Sequence, residues 1–174
     1  SGSSPSLGTE STFDGFDSLA SVDQSDLDSF FPRAAINDSG EIGLTFMQFD
    51  EPAATNSEAY FYSAIYNPLT KVWTTQVLLS GATTSRQFPS IAIDGDGVVS
   101  AVWAEKDSGG DYQIYLSQFD EVWNPAPAVI TDPAITNLPS QLPTEPVVTS
   151  DSSGIVTVAY ASGTADNTRN IRAV

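Results

Sequence analysis

A chain of 174 residues with 40% hydrophobic and 10% aromatic residues can bury a sizeable core and is too apolar for a disordered tail. Its 22 acidic residues against 6 basic ones give a formal charge of −16, which argues against nucleic-acid partners and anionic membrane surfaces. Cys and His are both absent, which excludes disulfides, thiolate metal sites, Cys nucleophiles and His-based catalytic triads.

In chain order, the polar start SGSSPSLGTE lacks an initiator Met and a signal-peptide core, and it reads as a mature or cut end. No run approaches the roughly 18 apolar residues of a membrane helix, so membrane insertion is not expected. FDGFDSLASVD (13–23) follows, with Phe16 lying 57 residues before Trp73, where a fourth strand is expected to begin. FPRAAINDSGEIGLTF comes next. It holds a short run opened by Pro32, an NDSG hinge, and a second run that alternates with period two. AYFYSAIYN (59–67) reads as a third strand and VWTTQVLLS (72–80) as a fourth.

The same order then recurs. FPSIAIDGDGVVSAVW repeats the proline-opened hairpin, DYQIYLSQF (111–119) the third strand and VWNPAPAVIT (122–131) the fourth. EPVVTSDSSGIVTVAY starts a third round, and NIRAV (170–174) stands where its third strand begins. Pro32, Pro89 and Pro146 share an interval of 57 residues, as do Gly40, Gly97 and Gly154, and Phe46, Trp103 and Tyr160. Along the second strand of each repeat one face is bulky: Ile42, Leu44 and Phe46, then Val99, Ala101 and Trp103, then Val156, Val158 and Tyr160. The other face is slim, with Gly43 and Thr45, Ser100 and Val102, Thr157 and Ala159. Sheets of that kind stack bulk into hollow. The periodic aromatics are therefore expected in the core. Pro125 and Pro127 place the fourth strand at a sheet edge.

Pro89, Ile91, Ala92, Asp94, Gly97 and Trp103, followed by Ile114 and Tyr115, resemble the repeat of sialidase-like β-propellers. The Asp-box hairpin of that family is degenerate here, since YNPLTKVW (66–73) and FDEVW (119–123) keep the terminal Trp and lose the Ser and Gly. The resemblance spans residues 30–174 and implies an all-β propeller of four-stranded blades. It divides the chain into an N-terminal segment (1–30) placed to supply a fourth strand, blades at 31–87 and 88–144, and an incomplete third blade at 145–174. Three blades do not close a ring of typically about 4–8. The rest of a six-bladed propeller is expected from other blades of a longer parent chain or from a second copy, each N-terminal strand then completing the partner's last blade.

Sialidases of the family use three arginines, a Tyr–Glu nucleophile pair and an Asp acid/base. No motif here gathers three of Arg33, Arg86, Arg169 and Arg172, so those roles are carried onto no residue. The Asp94-Gly95-Asp96-Gly97 hinge has the spacing of a calcium loop, with Asp94 and Asp96 as cation ligands, yet its counterparts NDSG and DSSG keep only the first and fourth residues. Those two positions are what a tight turn requires. Calcium is the one cofactor the sequence suggests, and turn formation is the competing reading. Ligands are expected on the loops after strands two and four, at 50–58, 105–111, 162–170, 81–87 and 132–144, which differ while the strands repeat. Arg86, Glu105, Lys106, Asp107, Asp111 and Arg169 are the candidate ligand-binding residues, and Glu105, Asp107 and Asp111 could pair as the carboxylates of a glycoside hydrolase. The expected function is a non-catalytic binding or adhesion module of an exported bacterial protein, at the cell surface, outside the cell or in the periplasm, recognising a glycan or a protein. A sialidase-like hydrolase fragment and a structural scaffold are the alternatives.

Overall fold

The computed structural model describes residues 29–49, 59–74, 77–79, 86–106, 112–124, 127–130, 145–163 and 169–174. Among these residues there is no helix, and three antiparallel sheets follow one another along the chain. The first contains β1 (Ser29–Ile36), β2 (Ile42–Phe49), β3 (Ala59–Asn67), β4 (Val72–Trp73) and β5 (Val77–Leu78), in the order β1-β2-β3-β4 with β5 also on β3. The second contains β6 (Arg86–Ile93), β7 (Val99–Lys106), β8 (Tyr112–Asp120), β9 (Val122–Trp123) and β10 (Ala128–Val129), in the order β10-β8-β7-β6 with β9 on β8. β11 (Val147–Ser150), β12 (Val156–Gly163) and β13 (Arg169–Ala173) form the third, in chain order. The expected strand at 13–23 and the ligand loops at 50–58 and 132–144 lie outside the described residues, as do those at 81–87, 105–111 and 162–170 apart from residues 86–87, 105–106, 162–163 and 169–170.

The hinge between the first two strands of each sheet is the same object three times. Asn37, Asp94 and Asp151 each turn a side-chain oxygen onto the backbone N–H groups two and four residues on, at 2.9 to 3.2 Å. Gly40, Gly97 and Gly154 close the three turns at φ of +84°, +88° and +83°, a region that side chains with a Cβ rarely adopt. The polar residue at the start and the glycine at the end are thus both demanded by the backbone.

Two expectations need correction. Proline does not open the first strand in the first two sheets: β1 and β6 begin three residues earlier and carry Pro32 and Pro89 within them. A bulge absorbs each proline, because the register shifts between Phe30 and Arg33 and again between Gln87 and Ser90. Pro has no N–H for the ladder, and the skipped register is where that loss is tolerated. Phe31 and Phe88, just before the prolines, sit at φ of 53° and 39°, an uncommon conformation for a bulky residue. Their rings meet edge-on at 5.0 Å across the neighbouring sheets. The fourth strand, in turn, is two short pieces in each of the first two sheets. Thr74 interrupts it in the first, where its Oγ1 accepts the N–H of Ile65 at 2.9 Å. In the second, Ser117 Oγ reaches the carbonyl of Asn124 at 3.3 Å.

The core lies between the sheets. The slim face of the first, with Ala35, Gly43, Met47, Phe61 and Ile65, receives Ile91, Ile93, Val99, Ala101 and Trp103 of the second. On the far side of the second sheet, Ala92, Val102, Ala104 and Ile114 receive Val148, Val158 and Tyr160 of the third. Hydroxyls on the slim face are spent locally: Thr45 Oγ1 donates to the carbonyl of Tyr62 at 2.9 Å and Ser63 Oγ to that of Leu44 at 2.8 Å. Polar bonds also cross between sheets, from Asn37 Nδ2 to the Asp94 carbonyl at 3.1 Å and from the Val148 N–H to Ser90 Oγ at 3.2 Å. Phe46, Trp103 and Tyr160 are all buried, as their period requires.

Trp103, 1% exposed and stacked on Tyr115 at 5.9 Å, fills the centre of the first interface. Trp103→Ala is expected to lose about 3–5 kcal/mol in urea unfolding by leaving a cavity; an unchanged midpoint would contradict the packing. A Cβ at Gly43 would lie 3.0 Å from Ile91 Cδ1 and 3.1 Å from Val99 Cγ1. Gly43→Val is therefore expected to cost roughly 1–3 kcal/mol by overpacking, and a variant that melts with the wild type would place the sheets farther apart.

Candidate functional site

The strands bring polar side chains together at two opposite ends. At the hinge end, turns from three sheets sit side by side. Asn37 Nδ2 donates to Glu41 Oε2 at 2.9 Å as well as to the carbonyl of Asp94. A Cβ at Gly95 would meet the Ser152 carbonyl at 3.2 Å, so the second and third hinges are in direct contact too. Asp94 is buried, and its Oδ1 accepts the N–H groups of Asp96 and Val98 at 3.0 and 2.9 Å. Asp96 itself is exposed, one step along the turn. Among the described residues no group of three or more His, Cys, Asp or Glu is arranged to hold a metal ion.

At the other end lies the rim that carries the loop after the second strand. Arg86 faces Glu105 in the register of β6 and β7, Glu105 faces Gln113, and Lys106 faces Tyr112. Trp103 Nε1 donates to Glu105 Oε2 at 3.0 Å, which turns the carboxylate towards the first sheet. Lys106 belongs to the opposite face by strand alternation, and its Nζ sits 5.1 Å from the centre of the Tyr112 ring. Tyr112 is buried among residues of the second and third sheets. Glu105 and Lys106 thus serve two different inter-sheet junctions instead of a single patch. Arg169 opens β13 opposite Gly163, on the corresponding rim of the third sheet. Asp107 and Asp111 lie outside the described residues. Gln113 and Tyr112 carry no charge, and their signal in the sequence is their position immediately after a variable loop on a repeating strand.

No protein-family description matches this sequence, and no curated protein does. Solved structures do. A Hadza microbial sialidase aligns with a TM-score of 0.57 at 11% identity, covering 83% of this chain and 34% of its own. A protein of unknown function from Dyadobacter fermentans aligns with a TM-score of 0.53 at 15% identity, covering 86% of this chain and 51% of its own. A fucose lectin from Kordia zhangzhouensis, solved with methyl-fucoside, gives 0.43 at 12% identity, covering 82% of this chain and 91% of its own. What the first two share with this chain is an all-β fold. The chain spans about a third of the sialidase and half of the Dyadobacter protein. Among the described residues no helix is long and apolar enough to cross a membrane.

One titration is resolved at the hinge end. The Asp151 carboxyl is held below its ordinary value of 3.8, first by the hydroxyl of Ser153, then by the N–H of Ile155, against a small opposing effect of burial. A carboxyl depressed in the folded state contributes stability above its unfolded pKa and loses it as pH falls through the folded value. That loss sets in around the ordinary carboxyl value of 3.8 and continues below it. Asp151→Asn keeps the oxygen acceptor, as Asn37 does naturally, and removes the charge. Acid melting of the variant is expected to fall less steeply than wild type below that pH, and parallel curves would deny Asp151 its part in acid sensitivity.

Proposed function

We propose that this chain is a non-catalytic glycan-binding module of an exported protein, built as part of a sialidase-like β-propeller and reading its ligand at the loop-bearing rim. The stacking of three hairpin-led sheets supports the propeller, as does the likeness to the sialidase fold. The observation that carries the binding reading is the Lys106–Tyr112 contact at that rim. A buried ring holds the ammonium over a fixed point, so a ligand oxygen meets a donor that has already lost its conformational freedom. Glu105 and its register partner Gln113 bring a carboxylate and an amide to the same strand ends on the opposite face, so the rim offers donors and acceptors at two neighbouring junctions. Protein recognition through the same loops is the nearest alternative ligand. In this reading the hinge Asp94-Gly95-Asp96-Gly97 acts as a turn, and calcium has no role in binding.

A sialidase-type hydrolase is the second reading, favoured by the likeness to the Hadza enzyme. Its catalytic groups would then belong largely to further blades of a longer parent chain.

A glycan array followed by calorimetry tests the first reading. The chain is expected to retain a defined set of glycans, and Lys106→Ala to bind them on the order of ten-fold more weakly with its melting curve nearly unchanged. Equal binding by the variant, or retention of no glycan, would overturn it. Release of a fluorogenic sialoside by the chain would promote the hydrolase instead.

A further inference from the structure

The molecule makes one sheet-to-sheet interface twice and, among the described residues, leaves both halves of a third copy of it without a facing sheet. The bulky face of the second sheet is buried by the first; no described residue stands in front of the bulky face of the first. Ile93 is 8% exposed against Ile65, whereas its counterpart Ile36, 57 residues earlier on the same face, is 65% exposed. On that face Leu44, Tyr62 and Trp73 are only partly buried, around Phe46 and Ala64, which are already buried within one copy. At the other end of the row the slim face is bare. Phe61 and Ile114, the third-strand partners of Met47 and Ala104, are 0% exposed because the next sheet covers them. Ile171 occupies the corresponding register position in the third sheet, opposite Ala161, and is 77% exposed. Thr157, the counterpart of Gly43 and Ser100, is exposed, while both of those are buried.

We infer that a second copy of this chain covers these faces, the slim face of the third sheet in each copy receiving the bulky face of the first sheet in the other. The inference follows from continuity with an interface already formed twice. The missing partner of the first sheet is a slim face, the missing partner of the third is a bulky one, and this chain carries one of each. A small residue is needed where Val99 presses on Gly43, and the third sheet offers Thr157 and Ala159 at the positions that face outward. Two copies joined at both junctions give a ring of six sheets, within the range of about 4–8 over which such rings close. The association is isologous as a whole, two identical junctions related by one two-fold axis, so it stops at two and does not run on into filaments. Two chains of charge −16 repel at long range, so the dimer tightens as salt rises and screens that repulsion. None of this depends on the glycan reading, and the experiments are separate.

Light scattering and native mass spectrometry of the full 174-residue chain at micromolar concentration decide the matter. The expected species has twice the 18.4 kDa of one chain and grows in population from low to moderate salt. Thr157→Arg and Ile36→Lys each place a charge on one bare face, at positions already exposed within a single copy, and each is expected to return the protein to monomers while circular dichroism stays that of wild type. A wild-type chain that remains a monomer up to the highest concentration tested would overturn the inference and leave the two faces to the remaining blades of a longer chain. A dimer indifferent to both substitutions would overturn it as well, by placing the contact elsewhere.

Discussion

Gly43 holds open the hollow into which Ile91 and Val99 press, and the stacking of the whole chain depends on that inequality between the two faces of each sheet. A sheet with two bulky faces keeps its neighbours too far apart for the inner strands to touch. With one slim face, Phe31 reaches Phe88, Asn37 reaches the carbonyl of Asp94, and the N–H of Val148 reaches Ser90. The hydroxyls of Thr45 and Ser63 belong to the same constraint. They are small enough for the slim face, and they bury without cost in unmet hydrogen bonds because each donates to a carbonyl of its own sheet.

The two ends of the stack do different work as a result. At the hinge end every element is over-determined: an Asx oxygen, a glycine at positive φ and a neighbour from the next sheet all fix the same few residues. At the loop end the strands only deliver residues, and the chain between them is free to differ from repeat to repeat. Gln48, Glu105 and Ser162 stand at equivalent places 57 residues apart and share no chemistry. Variation there leaves the stacking intact, which is why the proposed recognition is assigned to that end.

Period-two alternation and the 57-residue interval made the strands legible. The third strand read at 59–67 is β3 residue for residue, and the three hinges fall where NDSG, DGDG and DSSG stand. The bulges were not legible, because a proline inside a strand and a proline at its start look alike in sequence. Nor was the division of the fourth strand, which hinges on side-chain oxygens of Thr74 and Ser117 substituting for ladder partners. At the candidate site, Arg86, Glu105 and Lys106 stand on neighbouring strand ends, yet treating them as one patch ignores the alternation that sends Glu105 and Lys106 to opposite faces. Charge attracts attention in a sequence, whereas direction is a property of the strand.

The hinge residues show how little of the acidity at these turns the turn itself requires. Asn37, Asp94 and Asp151 do one job with the same oxygen, and the first does it without a charge. Asn37 gains something in exchange: its amide donates to the carbonyl of Asp94 and ties the first sheet to the second. Asp94 has no such donor, and the tie to the third sheet comes from Ser90 instead. The carboxylates remain tolerable in a chain of net charge −16 because the donors of each turn converge on them, most visibly at Asp151, where Ser153 and Ile155 hold the proton off. Of the two acids whose spacing suggests a cation site in the sequence, Asp94 has its carboxylate engaged by the turn's own N–H groups.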